Sequence, residues 1–457
     1  MSIYLVYRDP LFISFLILIL CEYLIQYIKK IQKPVTLQDN KTARISTLCA
    51  LYFAQGFPWG FMLTAVLSYL SENEVSTSDI GALSAMALLP WTFKLLWAPL
   101  IDSFNYPAMG RRRPWILFAQ LMMAVTLITM AMQPDLINNL TYLGWMFFLH
   151  NCFASLQDVC TDALAVDILL PEERGKVNGF MWGSKTIGMG VGGAVMGTLL
   201  ANTSMNFTLI FQTVLVLLVM LFPLLLRERA GEKLLPWTKG KIMLKNSIGA
   251  IRNPLNVVKD IIRGFSVKTT FIIALFLLFA SIGDGINGII LKPLYTQILE
   301  WDFKSYSQVE GSGAIFEFFG AILGGFLADR IGRKKIIMIG YGGFGITALL
   351  FGYLSVYWHL EWFASLYLII PLFFRALGTV AVFSLCMNIS WTKSAATMFT
   401  CYMAMSNIST MIGQRIAGPL NNSLSYEMSF ILLGSLAIIP LILIFFVNTE
   451  KSIEESY

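Results

Sequence analysis

The chain has 457 residues, of which 56% are hydrophobic and only 13% are charged. A soluble protein carries about twice that share of charged residues, so the soluble globular class is excluded. The net charge of +6 does not indicate nucleic-acid binding, because the basic residues lie in short segments between apolar runs, where they set membrane topology.

Apolar runs of about 18 to 25 residues recur along the chain, and a helix of that length can cross a bilayer core of roughly 30 Å. A first run at 11–28 is compatible with a thirteenth span, an interfacial helix or translation from an upstream start. Twelve core spans are predicted, at 45–70, 78–101, 115–132, 142–167, 177–200, 207–226, 269–296, 308–328, 336–357, 363–388, 394–420 and 427–448. The sequence therefore predicts an all-α polytopic membrane protein.

Lysine and arginine are distributed unequally between the loops on the two sides of these spans. The loops on one side hold 26 basic residues, whereas the opposite loops between core spans hold one, Lys304. Because basic loops favour the cytoplasm, we expect both ends of the twelve-helix core to face the cytoplasm. A thirteenth span would place Met1 outside.

A long loop at 227–268 divides the chain into two halves. Its segment 244–265 alternates apolar and basic residues near helical spacing, which predicts a linker helix on the inner membrane surface; a regulatory partner site is the alternative. The predicted organisation is an extra hydrophobic segment with a basic loop at 1–44, a six-helix bundle at 45–226, a cytoplasmic linker at 227–268, a second six-helix bundle at 269–448 and a cytoplasmic tail at 449–457.

Two features recur at a spacing of 227 residues and indicate an internal repeat. Asp102 and Asp329 each end an apolar run, and Gly56 and Gly283 each lie in a glycine-rich cluster of the first and seventh core spans. Paired interruptions in corresponding spans of two halves point to a central transport site. Close helix packing through small residues is the alternative.

Charged and polar side chains lie inside the predicted spans, where an isolated charge costs roughly a few kcal/mol or more. Such residues normally face one another or water, so we expect a central aqueous pathway. The predicted substrate and proton pathway comprises Gln55, Lys94, His150, Gln157, Asp158, Asp162, Lys185, Asp284, Asn287, Glu317, Arg375 and Arg415.

The fourth span has the densest set of these residues. Asp158 and Asp162 are four residues apart and therefore share one helix face. Two carboxylates so close in a desolvated site should hold one proton tightly, which makes them a candidate proton-coupling pair that Gln157 and His150 could assist. Permanent neutralisation by Lys94 or Lys185 is the alternative.

Two loops combine a carboxylate at a helix end with a basic cluster. Such a carboxylate could latch two helices together on the cytoplasmic side and release them as the halves move; a topology signal alone is the alternative. The predicted gating residues are Asp102, Gly110, Arg111, Arg112, Arg113, Gly325, Asp329, Arg330, Gly332, Arg333 and Lys334.

Two stretches resemble signature loops of the major facilitator superfamily: GFLADRIGRKK at 325–335 and PEERG at 171–175. A narrower resemblance, to the peptide/acetyl-coenzyme A transporter branch with its AmpG-like muropeptide permeases, rests on FKLLWAPLIDSF at 93–104, GRRRPW at 110–115, SLQDVCTDALAVDILLPEERG at 155–175 and the IGDG of span seven. The resemblance covers 45–448 and implies the major facilitator fold, with two six-helix bundles, a central cavity and alternating access.

The resemblance implies a secondary transporter of the bacterial inner membrane that imports a muropeptide-like or other medium-sized anionic solute, driven by protons. Alternative cargoes are acetyl-coenzyme A or another acylated metabolite, and a siderophore or drug-like compound. Remote alternatives are a membrane-embedded acyltransferase and a sensor. We expect no enzymatic activity, because an enzyme needs a nucleophile–base or histidine–acid pair at a membrane face and the chain has two histidines, His150 and His359.

The expected partners are a small-molecule solute, protons and the lipid bilayer, with no nucleic acid, and the protein is expected to be a monomer. No cofactor is predicted. The six cysteines fall within apolar runs without metal-ligand spacing, so they are interpreted as small packing residues and no metal site is predicted.

Overall fold

A computed structural model of the protein describes residues 35–72, 77–104, 106–134, 136, 139–238, 240, 254–301, 303–390 and 395–447. The hydrophobic run at 11–28 and the tail at 449–457 lie outside the described residues. Within them the chain is helical, and its β-type pairing consists of isolated bridges such as the one between Thr36 and Arg227.

The described residues form twelve helical units, numbered here α1 to α12. The units of the N-terminal half are α1 (Lys41–Gly60, a π-helical segment Phe61–Val66 and Leu67–Glu72), α2 (Thr77–Thr92, a 3-10 turn Lys94–Leu96 and Trp97–Ser103), α3 (Arg113–Met132), α4 (Leu140–Ile168), α5 (Arg174–Asn202) and α6 (Met205–Leu225). Those of the C-terminal half are α7 (Lys268–Ala280, Ile282–Pro293 and a π-helical segment Leu294–Ile298), α8 (Phe303–Ile331), α9 (Arg333–Tyr353), α10 (Glu361–Ile389), α11 (Ala395–Ser423) and α12 (Tyr426–Ile438, a 3-10 turn Ile439–Leu441 and Ile442–Phe445).

Each predicted core span corresponds to one of these units, so the predicted all-α, twelve-helix architecture is confirmed. Six of the described helical spans are long and apolar enough to cross a membrane by length and composition alone: those at 113–132, 205–225, 268–291, 333–353, 361–389 and 426–445. Several other units are broken by π or 3-10 turns or carry charged side chains, as α4 does with Asp158 and Asp162.

A further helix, Pro254–Ser266, lies between the two halves and is called the linker helix. It begins at the proline of the alternating segment, because proline is tolerated in the first turn of a helix, where its missing N–H is not needed. It packs on α11, where the Phe265 and Tyr402 rings are 5.2 Å apart. The first part of the segment, 244–253, lies outside the described residues.

The hydrophobic core is shared between the halves at the side that carries the basic loops, here called the basic side. One buried cluster there joins residues of both halves, such as Met181 of α5 with Leu377 and Phe383 of α10. Toward the opposite side the core divides into one cluster from α1–α6 and another from α7–α12. The halves thus share a hydrophobic core at the basic side and have separate cores toward the opposite side.

Candidate functional site

A cavity with about 180 Å³ of space accessible to water lies between the two halves. Helices α7, α8, α10 and α11 supply most of its lining, and α5 adds Trp182 and Thr186. Three charged residues line it, Asp284, Glu317 and Arg375, all of which the sequence analysis assigned to the pathway. Three helices of the C-terminal half therefore bring these predicted residues together.

The three charges form one cluster around the Arg375 guanidinium. It lies 3.0 Å from Glu317 Oε1 and 3.7 Å from Asp284 Oδ2, and each of the three side chains is between about a quarter and a third exposed. Two carboxylates facing one guanidinium leave an excess of one negative charge. Asn287, one turn beyond Asp284, accepts a hydrogen bond from the Tyr367 hydroxyl at 2.9 Å.

A second cluster lies in the N-terminal half and is almost fully buried. The Lys94 ammonium is 3.1 Å from Asp158 Oδ2, and the Tyr52 hydroxyl donates a hydrogen bond to Asp162 Oδ1. Gln157, adjacent to Asp158, donates to the Leu51 carbonyl at 2.9 Å. The two carboxylates predicted to share one face of α4 are thus held by different helices, α2 and α1.

Aromatic rings lie beside both the buried cluster and the cavity. Trp182 stacks on Phe383 of the opposite half with a centroid separation of 5.9 Å, and both rings line the cavity. The Lys185 ammonium stands 5.2 Å from the centre of the Trp91 ring and 5.3 Å from that of Trp182, a cation–π arrangement. Among the described residues, no carboxylate lies within 4 Å of the Lys185 ammonium.

Three predicted pathway residues lie apart from both clusters. His150 is fully buried, and its Nδ1 contacts the Thr126 hydroxyl of α3 at 2.9 Å. Gln55 is buried in α1 without a hydrogen-bond partner for its amide among the described residues. Arg415 is exposed on α11 beside Met411, which is also exposed. Their predicted pathway roles remain predictions.

Asp102, at the end of α2, connects the halves at the basic side. Its Oδ2 accepts hydrogen bonds from the backbone N–H and the hydroxyl of Thr397, both at 2.9 Å, in the first turn of α11. Its other oxygen is 2.8 Å from Arg112 and 3.3 Å from Arg111. Since the first N–H groups of a helix lack partners within that helix, a carboxylate satisfies them and stabilises the helix end.

Asp329, at the end of α8, makes the corresponding contact in the opposite direction. Its two oxygens accept hydrogen bonds from the backbone N–H groups of Gly175 at 2.9 Å and Lys176 at 2.6 Å, in the first turn of α5. Arg333 is 2.8 Å away and also donates to the Pro171 carbonyl of the N-terminal half. Each half therefore places one carboxylate on the start of a helix in the other half.

The remaining residues of the predicted gating set lie near these contacts. Gly110 and Gly332 have φ values of 106° and 105°, in the left-handed region that favours glycine, and each turns the chain into the next helix. Gly325 lets α8 meet α5, because a Cβ there would overlap the Gly175 carbonyl. Arg330 is exposed with its guanidinium 6.0 Å from the centre of the Phe326 ring, and Lys334 donates to the Val447 carbonyl.

The start of α3 is bound by a third carboxylate, which comes from the beginning of the linker and not from the opposite half. Glu228 is buried and accepts hydrogen bonds from the backbone N–H groups of Arg111, Arg112 and Arg113 at 2.9, 2.7 and 2.5 Å. This contact fastens the beginning of the linker to the N-terminal bundle. Nearby, burial and then the Glu228 charge raise the pKa of Glu232 to about 7.

Several residues of the two clusters and of the basic side were not foreseen from the sequence. Tyr52, Trp91 and Trp182 are aromatic residues in apolar spans, where most aromatic residues simply pack. Thr397, the partner of Asp102, begins a helix 295 positions away. Only the assembled bundle brings these residues to the charged ones, although the aspartate-ended motifs themselves marked where the halves meet.

Comparison with known proteins places this geometry in a family. The family model of the Major Facilitator Superfamily matches residues 48–413, and a second match covers 273–456. The candidate transporter AmpG 4 of Rickettsia conorii is 24% identical over 90% of this chain and 98% of its own length. The anhydromuropeptide permease of Escherichia coli K12 is 32% identical over 33% of this chain and 28% of its own length.

Solved structures show the same fold. The human organic anion transporter MFSD10 superposes with a TM-score of 0.65 at 13% identity, covering 89% of this chain and 100% of that one. The proton:xylose symporter XylE superposes with a TM-score of 0.62 at 12% identity, covering 90% of this chain and 97% of its own. These matches confirm the resemblance drawn from the loop motifs and the fold that it implied.

Proposed function

The chain belongs to the Major Facilitator Superfamily, and from this premise we propose that it is a proton-coupled secondary transporter importing a muropeptide-like or other medium-sized anionic solute. A membrane transporter is the function supported by the family and by relatives that cover nearly the whole chain. The finer proposal of a muropeptide cargo, and of a bacterial inner membrane as the location, draws support from the similarity to the Escherichia coli anhydromuropeptide permease.

The observation that carries the proposal is the buried cluster of Lys94, Asp158, Asp162 and Tyr52. One nearby cation pairs with one carboxylate, while the other accepts a hydrogen bond from a neutral hydroxyl. Two negative charges one helical turn apart in a desolvated site repel each other, which favours binding of one proton by the pair. The site can thus take up a proton without losing its buried ion pair.

The proton also changes the charge presented to the solute. Lys94 and Lys185 together carry two positive charges, which the ionised forms of Asp158 and Asp162 balance. With one proton on the pair, the four groups sum to one positive charge and attract an anion. A proton bound in this buried cluster and an anionic solute in the neighbouring cavity therefore favour each other's binding.

The closed contacts at the basic side supply the second requirement of alternating access. In the conformation described here, Asp102 and Asp329 bind the starts of α11 and α5, and a hydrophobic cluster shared by both halves packs the basic side. Release of these contacts as the halves rock would open the cavity to the basic side. The loop charges predict that this side is the cytoplasm.

The test is uptake of a labelled anhydromuropeptide into proteoliposomes under an imposed inward proton gradient. Asp158→Asn and Asp162→Asn each mimic a protonated carboxylate, so we expect them to abolish accumulation against a gradient while preserving exchange of labelled for unlabelled cargo. The matched control is Asp39→Asn, which changes an exposed carboxylate before α1 and should leave accumulation intact.

If both cluster variants still accumulate cargo in response to protons, the coupling site lies elsewhere, and Asp284 or Glu317 becomes the next candidate. Acetyl-coenzyme A is offered to the same vesicles as the competing cargo. Proton-driven uptake of that compound, with none of the muropeptide, would replace the proposed cargo while leaving the transport mechanism in place.

A further inference from the structure

The cavity has two chemically different walls, and each belongs to a different half of the molecule. The C-terminal half supplies Asp284, Glu317 and Arg375. The N-terminal half supplies Trp182 and Thr186, and the Lys185 ammonium lies next to this lining, 5.3 Å from the centre of the Trp182 ring. Because alternating access moves the halves relative to each other, a solute that binds both walls links the two moving parts.

The wall of the C-terminal half is suited to a cation. Arg375 binds both carboxylates, yet one negative charge remains in excess, and the side chains of Asp284 and Glu317 stay 26% and 33% exposed. A carboxylate has about four acceptor sites, so its pairing with one guanidinium leaves oxygen lone pairs for another donor. Ser281, Ser406 and Thr410 line the same wall and add hydroxyl groups.

The wall of the N-terminal half is suited to an anion. Lys94 is committed to Asp158, but Lys185 has two aromatic rings around its ammonium and, among the described residues, no carboxylate within 4 Å. A cation–π contact leaves the full positive charge and the N–H donors of the ammonium available to a carboxylate. Lys185 is half-buried, so an anion that reaches it is partly removed from water.

We propose that the cavity selects a bipolar solute, with a carboxylate bound at Lys185 and an ammonium group bound at Asp284 and Glu317. This inference rests on the proposed transport function and narrows its cargo to amphoteric compounds, such as a muropeptide whose peptide retains a free amine. A solute with both groups contacts both walls and favours their approach, whereas a purely anionic solute contacts one wall and does not.

The test measures the binding of each cargo derivative to each protein variant, so that the loss caused by a substitution can be compared with the loss caused by modifying the cargo. The probes are a muropeptide with one free amine, its N-acetylated form and its fully amidated form. Binding to the purified protein in detergent is measured by ligand-induced thermal stabilisation. Since a hydrogen bond to a charged group is lost, we expect acetylation to weaken binding to the unmodified protein about tenfold or more.

Glu317→Gln should cause the same loss for the free-amine probe and almost no further loss for the acetylated probe. Lys185→Gln should weaken binding of the probe with free carboxylates and cause almost no further loss for the amidated probe. The matched control is Glu361→Gln, an exposed carboxylate at the start of α10, which should not change any of the affinities. Asp284→Asn provides a second variant of the cation wall in case Glu317→Gln folds poorly.

Equal affinity of the unmodified protein for all three probes overturns the inference. The inference is also overturned if acetylation of the probe and Glu317→Gln each weaken binding and the two losses add, because the two groups then do not contact each other. Either result leaves the proposed function standing as long as proton-driven uptake of the muropeptide persists. Failure of both binding and uptake for every probe overturns the proposed function, and the inference falls with it.

Discussion

Lys94 lies close to the buried carboxylates, to the aromatic rings beside the cavity and to the opposite half of the molecule. Its ammonium is 3.1 Å from Asp158, 3.6 Å from the Met403 sulfur of α11 and 6.0 Å from the centre of the Trp91 ring. Met403 belongs to the other half, so the surroundings of this ion pair must change when the halves separate at the basic side. The placement of Lys94 therefore connects the charge of the buried cluster proposed to bind the proton with the conformation of the bundle.

Gly56 provides a residue-scale test of how closely α1 and α5 must approach. A Cβ at this position would overlap the Lys185 carbonyl oxygen, which belongs to the backbone and cannot move alone. Gly56→Ala should therefore push the two helices apart and lower the free energy of unfolding by about 1–3 kcal/mol, the usual cost of overpacking. The measurement is thermal unfolding in detergent, with transport measured in parallel because Lys185 would shift.

The chain offers a matched control on the same helix. Gly190 of α5 has no atom within 4 Å of its Cβ position, so Gly190→Ala should cost nothing and can gain from the higher helix propensity of alanine. Equal unfolding temperatures for the two variants would contradict close packing at Gly56. That outcome would favour the first interpretation of this glycine cluster, in which it interrupts the helix at a transport site, over the alternative of close helix packing.

At the scale of whole helices, the two halves are held together by carboxylates placed on helix starts. Asp102 of α2 reaches α11, and Asp329 of α8 reaches α5, so the repeat in the sequence appears as a pair of reciprocal contacts. Each carboxylate loses its partners if the halves separate at the basic side. A surface interaction of this kind is worth about 0.3–1 kcal/mol and up to about 2 kcal/mol when partly buried.

Asp102→Asn and Asp329→Asn should each increase the population that is open at the basic side several-fold and slow transport, because an amide keeps the shape but loses the charge. The measurement is the distribution of distances between spin labels at Glu172→Cys and Ile331→Cys, two exposed positions in different halves at the basic side. We expect a longer-distance population to grow in both variants, with expression and cargo binding largely retained.

Glu228→Gln is the control that distinguishes opening at the basic side from the simple loss of a helix cap. Glu228 binds the start of α3 but comes from the beginning of the linker and not from the opposite half, so its substitution should lower stability without lengthening the distance between the labels. Undiminished transport in the double Asp102→Asn and Asp329→Asn variant would contradict the gating role and leave both loops with a role in membrane topology alone.

Taken as a whole molecule, the protein has its two halves packed together at the basic side and separate hydrophobic cores toward the other side. The shared hydrophobic cluster and the reciprocal carboxylate contacts lie at the basic side, whereas the outer cores of the halves are distinct. If the states closed and open at the basic side differ only slightly in free energy, binding of a solute and a proton can shift their populations.

The orientation in the membrane is tested by cysteine labelling in a background without the native cysteines. Ser204→Cys, in the exposed turn between α5 and α6, should react with an impermeant thiol reagent added to intact cells. Trp237→Cys, 80% exposed at the start of the linker, should react only after the membrane is permeabilised. The reverse pattern would overturn the topology inferred from 26 basic residues against one.

The sequence by itself determined the membrane class, the number of core spans and the internal repeat. Apolar run length and loop charge are properties of contiguous segments, and a bilayer acts on each segment almost independently. The aspartate-ended motifs were visible for the same reason, since each lies within about a dozen residues of chain.

The tertiary structure decided the partners of those residues. Asp102 meets Thr397, Lys94 meets Asp158, and Tyr52 meets Asp162 across 295, 64 and 110 positions of the chain. Such pairs depend on how helices pack, and packing is set by shape complementarity over the whole bundle rather than by local pattern. For this reason the sequence could predict charged residues of a pathway, while only the fold placed most of them in a buried cluster or at a cavity wall.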